Sequence, residues 1–177
     1  VRWANVTISD GERTETMIGR IDNSMTPPFV YTTAQITGVP GRTYTITAEY
    51  EGERIVSSCT MPRPVDISRI DVAPVADSDT LREVSLTFVP GIGNDKCYQL
   101  AVYDPSLSGR MLPCFMGAYA ASSSGGGGEV TLTVCRPSID TDGGDYTPYF
   151  RTGRTIMVAL TAIAPEVWRF WHEYDDF

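Results

Sequence analysis

A mainly β fold, built as two β-sandwich modules with a short C-terminal α-helix, is what this sequence predicts. Three observations predict it. Apolar and polar residues alternate strictly over many short runs, the period of a half-buried strand. Turn-forming residues punctuate those runs, with Gly 16 and Pro 12 in 177 residues. Helical spacing of apolar residues occurs clearly only near the C-terminal end, at Val167, Trp168, Trp171 and Tyr174.

In chain order, Ala4, Val6 and Ile8 alternate with Asn5, Thr7 and Ser9, which predicts a first strand. Asp10-Gly11 is a hairpin turn, and residues 13–21 return as the second strand. Residues 23–28 are loop and 29–37 a third strand. The clearest pattern lies at 40–67. Tyr44, Ile46, Ala48 and Tyr50 point one way; Thr43, Thr45, Thr47 and Glu49 point the other. Glu51-Gly52 makes a two-residue turn, because Gly adopts positive φ without penalty, and residues 53–61 return. Pro62-Arg63-Pro64 stops that strand, since proline donates nothing to a ladder and holds its neighbours extended. This places a module boundary after residue 62, giving modules 1–62 and 63–177. About five strands are too few for a closed sandwich in the first module, so further strands are expected upstream.

In the second module, strands are predicted over 65–75, where Ile67, Ile70 and Val72 carry the apolar positions, and over 83–89, 96–104, 129–135 and 154–164, which alternate, as Val84, Leu86 and Phe88 do. Residues 110–121 are apolar but poorly periodic. Ser and Gly fill 122–128, a flexible low-complexity loop, and 137–153 is a long loop rich in Asp, Gly and Tyr. Pro165 at a first helical position and Glu166 in the first turn mark the start of the helix, whose Trp face is expected to pack on the second sheet. The whole reads as two Ig-like or fibronectin-like modules.

The charge balance excludes some functions. A formal net charge of -8, with Lys96 the single lysine, argues against nucleic-acid binding, which needs a basic face. No apolar run is long enough for a membrane-spanning helix. The sequence begins at Val1 inside a strand-like run, which suggests a piece of a longer protein. Cys59, Cys97, Cys114 and Cys135 allow three pairings and show no CxxC spacing; free thiols buried in strands are the favoured reading over a disulfide.

Candidate chemistry is sparse. His172 is the only histidine, it sits in the predicted helix, and no GxSxG nucleophile motif accompanies it. Asp140, Asp142 and Asp145 alternate with glycines nearby and are candidate calcium ligands, although the EF-hand spacing is not met and a solvated acidic turn is favoured; no other cofactor is expected. Asn5-Val6-Thr7 matches a glycosylation sequon, a short pattern that arises often by chance. Tyr146, Tyr149 and Phe150 are the candidate ligand-binding aromatics, because they fall in a loop where exposed rings are less expected.

Several stretches together resemble the Bacteroidetes outer-membrane lipoprotein family known as domain of unknown function 4249. They are VTISDG at 6–11, PGRTYTITAEYEGERIVSSCTMPRPVDI at 40–67, VSLTF at 84–88, CYQLAVY at 97–103, residues 142–155, and TIMVALTAIAPEVWRFW at 155–171. These are loose β patterns, not catalytic signatures, and the family supplies no catalytic residues to carry over. The family's lipoprotein signal and its tail beyond the helix have no counterpart in the sequence. The resemblance implies a noncatalytic protein exported to the outer membrane, lipid-anchored through an upstream cysteine, at the cell surface or the periplasmic face. It further implies a TonB-dependent receptor as partner and an accessory role in the uptake of a small nutrient ligand. The competing expectations are a structural or adhesive, pilus-like surface protein of Ig-like sandwiches and, less favoured, a carbohydrate-active enzyme using paired carboxylates.

Overall fold

Strand alternation carries through to the computed structural model, which describes residues 3–25, 28–92, 96–107, 109–121, 128–137 and 146–175. The chain is mainly β, with several antiparallel sheets and, among the described residues, one helix. It divides into two compact units, Val1–Met61 and Pro62–Phe177.

The first unit holds β1 (Asn5–Ser9), β2 (Thr14–Thr16), β3 (Ile18–Ile21), β4 (Phe29–Thr32), β5 (Thr43–Tyr50) and β6 (Glu53–Thr60). Four of them form an antiparallel sheet in the order β2-β1-β5-β6. Asp10 makes the first turn: its Oδ1 accepts the Glu12 and Arg13 N–H groups, and its Oδ2 lies 2.8 Å from Arg42 Nη1. At the second turn both Glu51 (φ 50) and Gly52 (φ 86) have positive φ. That is the two-residue turn whose twist matches a hairpin, and β5 and β6 pair without a break from Tyr50↔Glu53 to Thr43↔Thr60.

The expected single return strand over 13–21 is instead two. Met17 N–H still bonds Val6 C=O, but Ile18–Ile21 leaves the sheet and pairs with β4 in its own two-stranded sheet. The Phe29 ring packs directly over Gly19, where a Cβ would stand 3.0 Å from it. The strand expected over 29–37 ends at Thr32. Beyond it, the Glu15 carboxylate accepts the N–H groups of Ala34, Gln35 and Ile36, so these backbone donors turn to a side chain and not to a ladder. Tyr44 Oη accepts from Val39 N–H at 2.7 Å and donates to Thr37 C=O, which folds the same loop over the apolar face of the sheet. Val6 and Ile36 are buried there, while Ile46, Tyr50 and Ile55 of that face stay exposed.

The second unit holds β7 (Ile67–Pro74), β8 (Leu81–Phe88), β9 (Cys97–Tyr103), β10 (Leu112–Ala120), β11 (Val130–Val134), β12 (Phe150–Arg151), β13 (Met157–Ile163) and α1 (Pro165–Asp175). One sheet is built on β8, with β7 on one edge and β11 and β12 on the other; the second sheet runs β10-β9-β13. The two sheets share one core. Val84, Leu86 and Phe88 of β8 meet Tyr98, Leu100 and Val102 of β9, with Cys114, Val134 and Phe150 closing the cluster. The Phe88 and Tyr98 rings meet edge to face at 4.8 Å, and Tyr98 Oη accepts the Gly91 N–H. Burying each large side chain of this set contributes roughly 1.5–3 kcal/mol.

The poorly periodic run at 110–121 is a strand broken by a bulge. The register of β10 against β9 shifts between Pro113 and Ala118, and Met116 has positive φ (51). An extra residue in a bulge moves later side chains to the opposite face, so a single period-2 pattern cannot run through it. In α1, Ala164 C=O accepts both Val167 and Trp168 N–H groups; Trp168 and Trp171 are half-buried, whereas Phe170 remains 60% exposed. All four cysteines are free: Cys97 and Cys114 are buried, Cys135 is half-buried, and Cys59, expected to be buried, is exposed on β6.

Candidate functional site

The outward face of the first unit's sheet is paved with hydroxyls. Register places Asn5, Thr7 and Ser9 of β1 opposite Glu49, Thr47 and Thr45 of β5, so all six side chains share one face. β2 adds Thr14 opposite Ser9, and β6 adds Arg54, Val56, Ser58 and Thr60 opposite Glu49, Thr47, Thr45 and Thr43. Cross-strand bonds tie part of this surface together: Thr43 Oγ1 to Thr60 Oγ1 and Thr45 Oγ1 to Ser58 Oγ, both at 2.7 Å. Arg54 Nε lies 3.5 Å from Glu49 Oε1.

Between these residues lies an open concavity of about 280 Å³, lined by Asn5, Thr7, Ser9, Thr14, Thr45, Thr47, Glu49 and Arg54. Ser9 Oγ is engaged, donating to Arg13 C=O and accepting the Gly11 N–H. Among the described residues, no hydrogen bond engages the side chains of Asn5, Thr7, Thr14 or Thr47. The groove therefore offers an amide and three hydroxyls, each able to donate and to accept, beside an internally balanced ion pair. Such a surface suits a neutral, polyhydroxylated or otherwise polar ligand. The lining holds no histidine, and no carboxylate hydrogen-bonds to its hydroxyls among the described residues.

The loop aromatics take different places in the second unit. Phe150 is buried in the core and opens β12. Tyr146 stands over Phe115 with ring centroids 5.0 Å apart, and its hydroxyl donates to Arg136 C=O at 2.8 Å. Tyr149 is half-buried, and its carbonyl accepts from Arg136 Nη1 at 3.5 Å. Arg136, only 1% exposed, thus anchors the segment that carries all three, with its own N–H bonded to Pro148 C=O. Tyr146 with the half-exposed Phe115 is the aromatic surface this segment keeps accessible.

Asp140, Asp142 and Asp145 lie outside the described residues. Among the described residues, no cluster of three or more His, Cys, Asp or Glu side chains is placed to hold a metal ion, and no helix is long and apolar enough to cross a membrane. His172 stacks on Trp168 at 4.9 Å on the helix.

Sequence reading missed the groove, although its signal was visible: Thr43, Thr45 and Thr47 share one face of an alternating strand, and so do Asn5, Thr7 and Ser9. What it lacked was the pairing of those two strands. Comparison with family models, with curated proteins and with solved structures gave no match.

Proposed function

We propose that this chain is the β-rich body of a noncatalytic outer-membrane lipoprotein, accessory to nutrient binding and uptake with a TonB-dependent receptor. In this reading its two units are Ig-like or fibronectin-like sandwich modules held at the membrane by an upstream lipid anchor. The observation that carries the binding role is the hydroxyl-lined groove, where Asn5, Thr7, Thr14 and Thr47 present unengaged donors and acceptors on a four-stranded sheet. The partner and the location come from the family resemblance of the sequence.

Calorimetric titration of the purified chain with neutral oligosaccharides, polyols and amino acids tests the binding role. Saturable heat that is lost in Thr47→Val, with an unchanged circular dichroism spectrum, supports it. Binding that survives Thr47→Val together with Asn5→Ala would move the site away from the groove, and Tyr146→Ala would then test the aromatic surface.

A second reading, a structural or adhesive surface protein, is favoured by one observation: β6 is an eight-residue edge strand exposed along its whole length. A free edge of that kind accepts a partner strand.

A further inference from the structure

We propose that β6 pairs with β6 of a second copy of this chain, antiparallel and centred on Ser57. The hydrogen-bond phase of the hairpin fixes which groups point outward. In a two-residue hairpin the flanking pair, here Tyr50 and Glu53, exchanges both hydrogen bonds, and bonded pairs then recur at every second position. Glu53, Ile55, Ser57 and Cys59 therefore bond β5, and Met61 continues the same phase by donating to Arg42 C=O at 2.9 Å. The N–H and C=O groups of Arg54, Val56, Ser58 and Thr60 face away from the sheet.

The strand contains no proline, lysine or bulge, devices that usually protect an edge, and every residue of it is exposed. Its charged residues sit at the turn end, Glu53 and Arg54, and Arg54 lies 3.5 Å from Glu49 of β5. Ile55, on the opposite face from the groove, is 71% exposed and Val56 is 51% exposed.

A second copy fits this edge in one register better than in its neighbours. With Ser57 opposite its own copy, Arg54 faces Thr60 and Val56 faces Ser58, and each of these pairs occurs twice by symmetry. All four outward residues of each copy are then hydrogen-bonded. Centring the pairing on Val56 leaves Thr60 opposite Gly52 in the turn, and centring it on Ser58 sets Arg54 opposite Pro62, which has no N–H. In the Ser57-centred register Ile55 lies against Cys59, an apolar contact, and Glu53 lies against Met61, so no like charges meet. Opposed residues of an antiparallel pair share a face, so the dimer joins two four-stranded sheets into one and sets both hydroxyl grooves on the same surface.

Sedimentation equilibrium on the purified chain reads the association directly. The expected result is a concentration-dependent dimer that Ser58→Pro converts to monomer without changing the circular dichroism spectrum, because the N–H removed is an outward one. A covalent probe reads the register even where the proline variant does not fold. Ser57 and its copy form a non-hydrogen-bonded pair with Cα atoms about 4.5 Å apart, within disulfide reach. With Cys59→Ser in the background, Ser57→Cys is expected to give a covalent dimer under oxidised glutathione, and Ile55→Cys is not. A chain that stays monomeric at high micromolar concentration overturns the proposal. So does a dimer that keeps its mass in Ser58→Pro, one that Ser57→Cys does not cross-link, or one displaced by a strand of another protein bound to this edge. None of these readouts depends on a receptor or on a ligand in the groove, so the dimer and the uptake role fail independently.

Discussion

Arg154 Nη1 lies 2.9 Å from Asp104 Oδ2 in the second unit, and the Asp104 side chain is only 4% exposed. Its other oxygen, Oδ1, accepts the Ser106 N–H and hydroxyl at 2.8 Å and 2.6 Å. Asp104 follows β9 and Arg154 precedes β13, so the pair fastens the ends of two adjacent strands. Burial works against the charged carboxylate, but the Ser106 hydrogen bonds and the Arg154 guanidinium outweigh it and hold its pKa below the ordinary 3.8.

A pH dependence follows from that shift. A carboxyl whose folded pKa is depressed stabilises the fold fully above its unfolded value. That stability drains away as pH falls through the folded value. Thermal melts of the wild type are expected to lose this contribution only below about pH 4. Asp104→Asn should be less stable at neutral pH by about 1.5–3 kcal/mol, the range for hydrogen bonds to a charged group, and should show a flatter acid limb. Urea unfolding at pH 7 and at pH 3 measures both.

Glu15 gives a prediction for the first unit. Its carboxylate is also held below the ordinary range, by the Ala34 and Ile36 N–H groups with burial opposing and Gln35 assisting. Glu15→Ala should speed amide hydrogen exchange at Ala34, Gln35 and Ile36 while leaving the β5–β6 ladder protected. Unchanged exchange at those three amides would show that the carboxylate does not hold the loop.

Close packing behind the bulge makes Gly117 sensitive. A Cβ there would stand 2.9 Å from both Cys114 Cβ and Leu100 C=O, and the backbone oxygen cannot move aside cheaply. Gly117→Ala is expected to cost about 1–3 kcal/mol, the range for overpacking. Leu86→Ala, which opens a cavity at the centre of the shared core, should cost about 2–5 kcal/mol. Chemical denaturation of both variants gives the comparison.

The thiols should react in the order of their environments. Cys59 is exposed and is expected to label first with an aromatic disulfide reagent, followed by the half-buried Cys135. Cys114 should label last in the native state. Burial, with the neighbouring Cys135 adding to it and a hydrogen bond to the Cys135 backbone opposing, pushes its pKa up to about 12. Timed labelling followed by peptide mass mapping gives the order.

What was legible in the sequence was local. The hairpin at 43–60 could be read outright, since alternation and the Glu51-Gly52 turn both act between near neighbours in the chain. The strands around Leu86, Leu100 and Leu160 were legible for the same reason. Long-range partners decided the rest. Glu15 ends β4 through amides about twenty residues away, and β3 leaves the main sheet to pair with β4, whose Phe29 packs over Gly19. Phe150 reads as a loop aromatic because its strand has only two residues; β8 recruits it to the core through Arg82 and Leu81. The groove needed the register of β1 against β5, which no single strand encodes. Cys59 sits in a strand-like run, yet it is exposed because its face of β6 is uncovered.

The uptake role is tested most directly by purifying the full-length, natively anchored protein from detergent-solubilised outer membranes and identifying what accompanies it. Stoichiometric recovery with a TonB-dependent β-barrel receptor is the result expected of an uptake accessory, and that receptor's substrate would then be the first ligand to try in the Thr7–Thr47 groove. Recovery of the protein alone, or only as copies of itself, would contradict the uptake role and leave the structural, surface-assembly reading in its place.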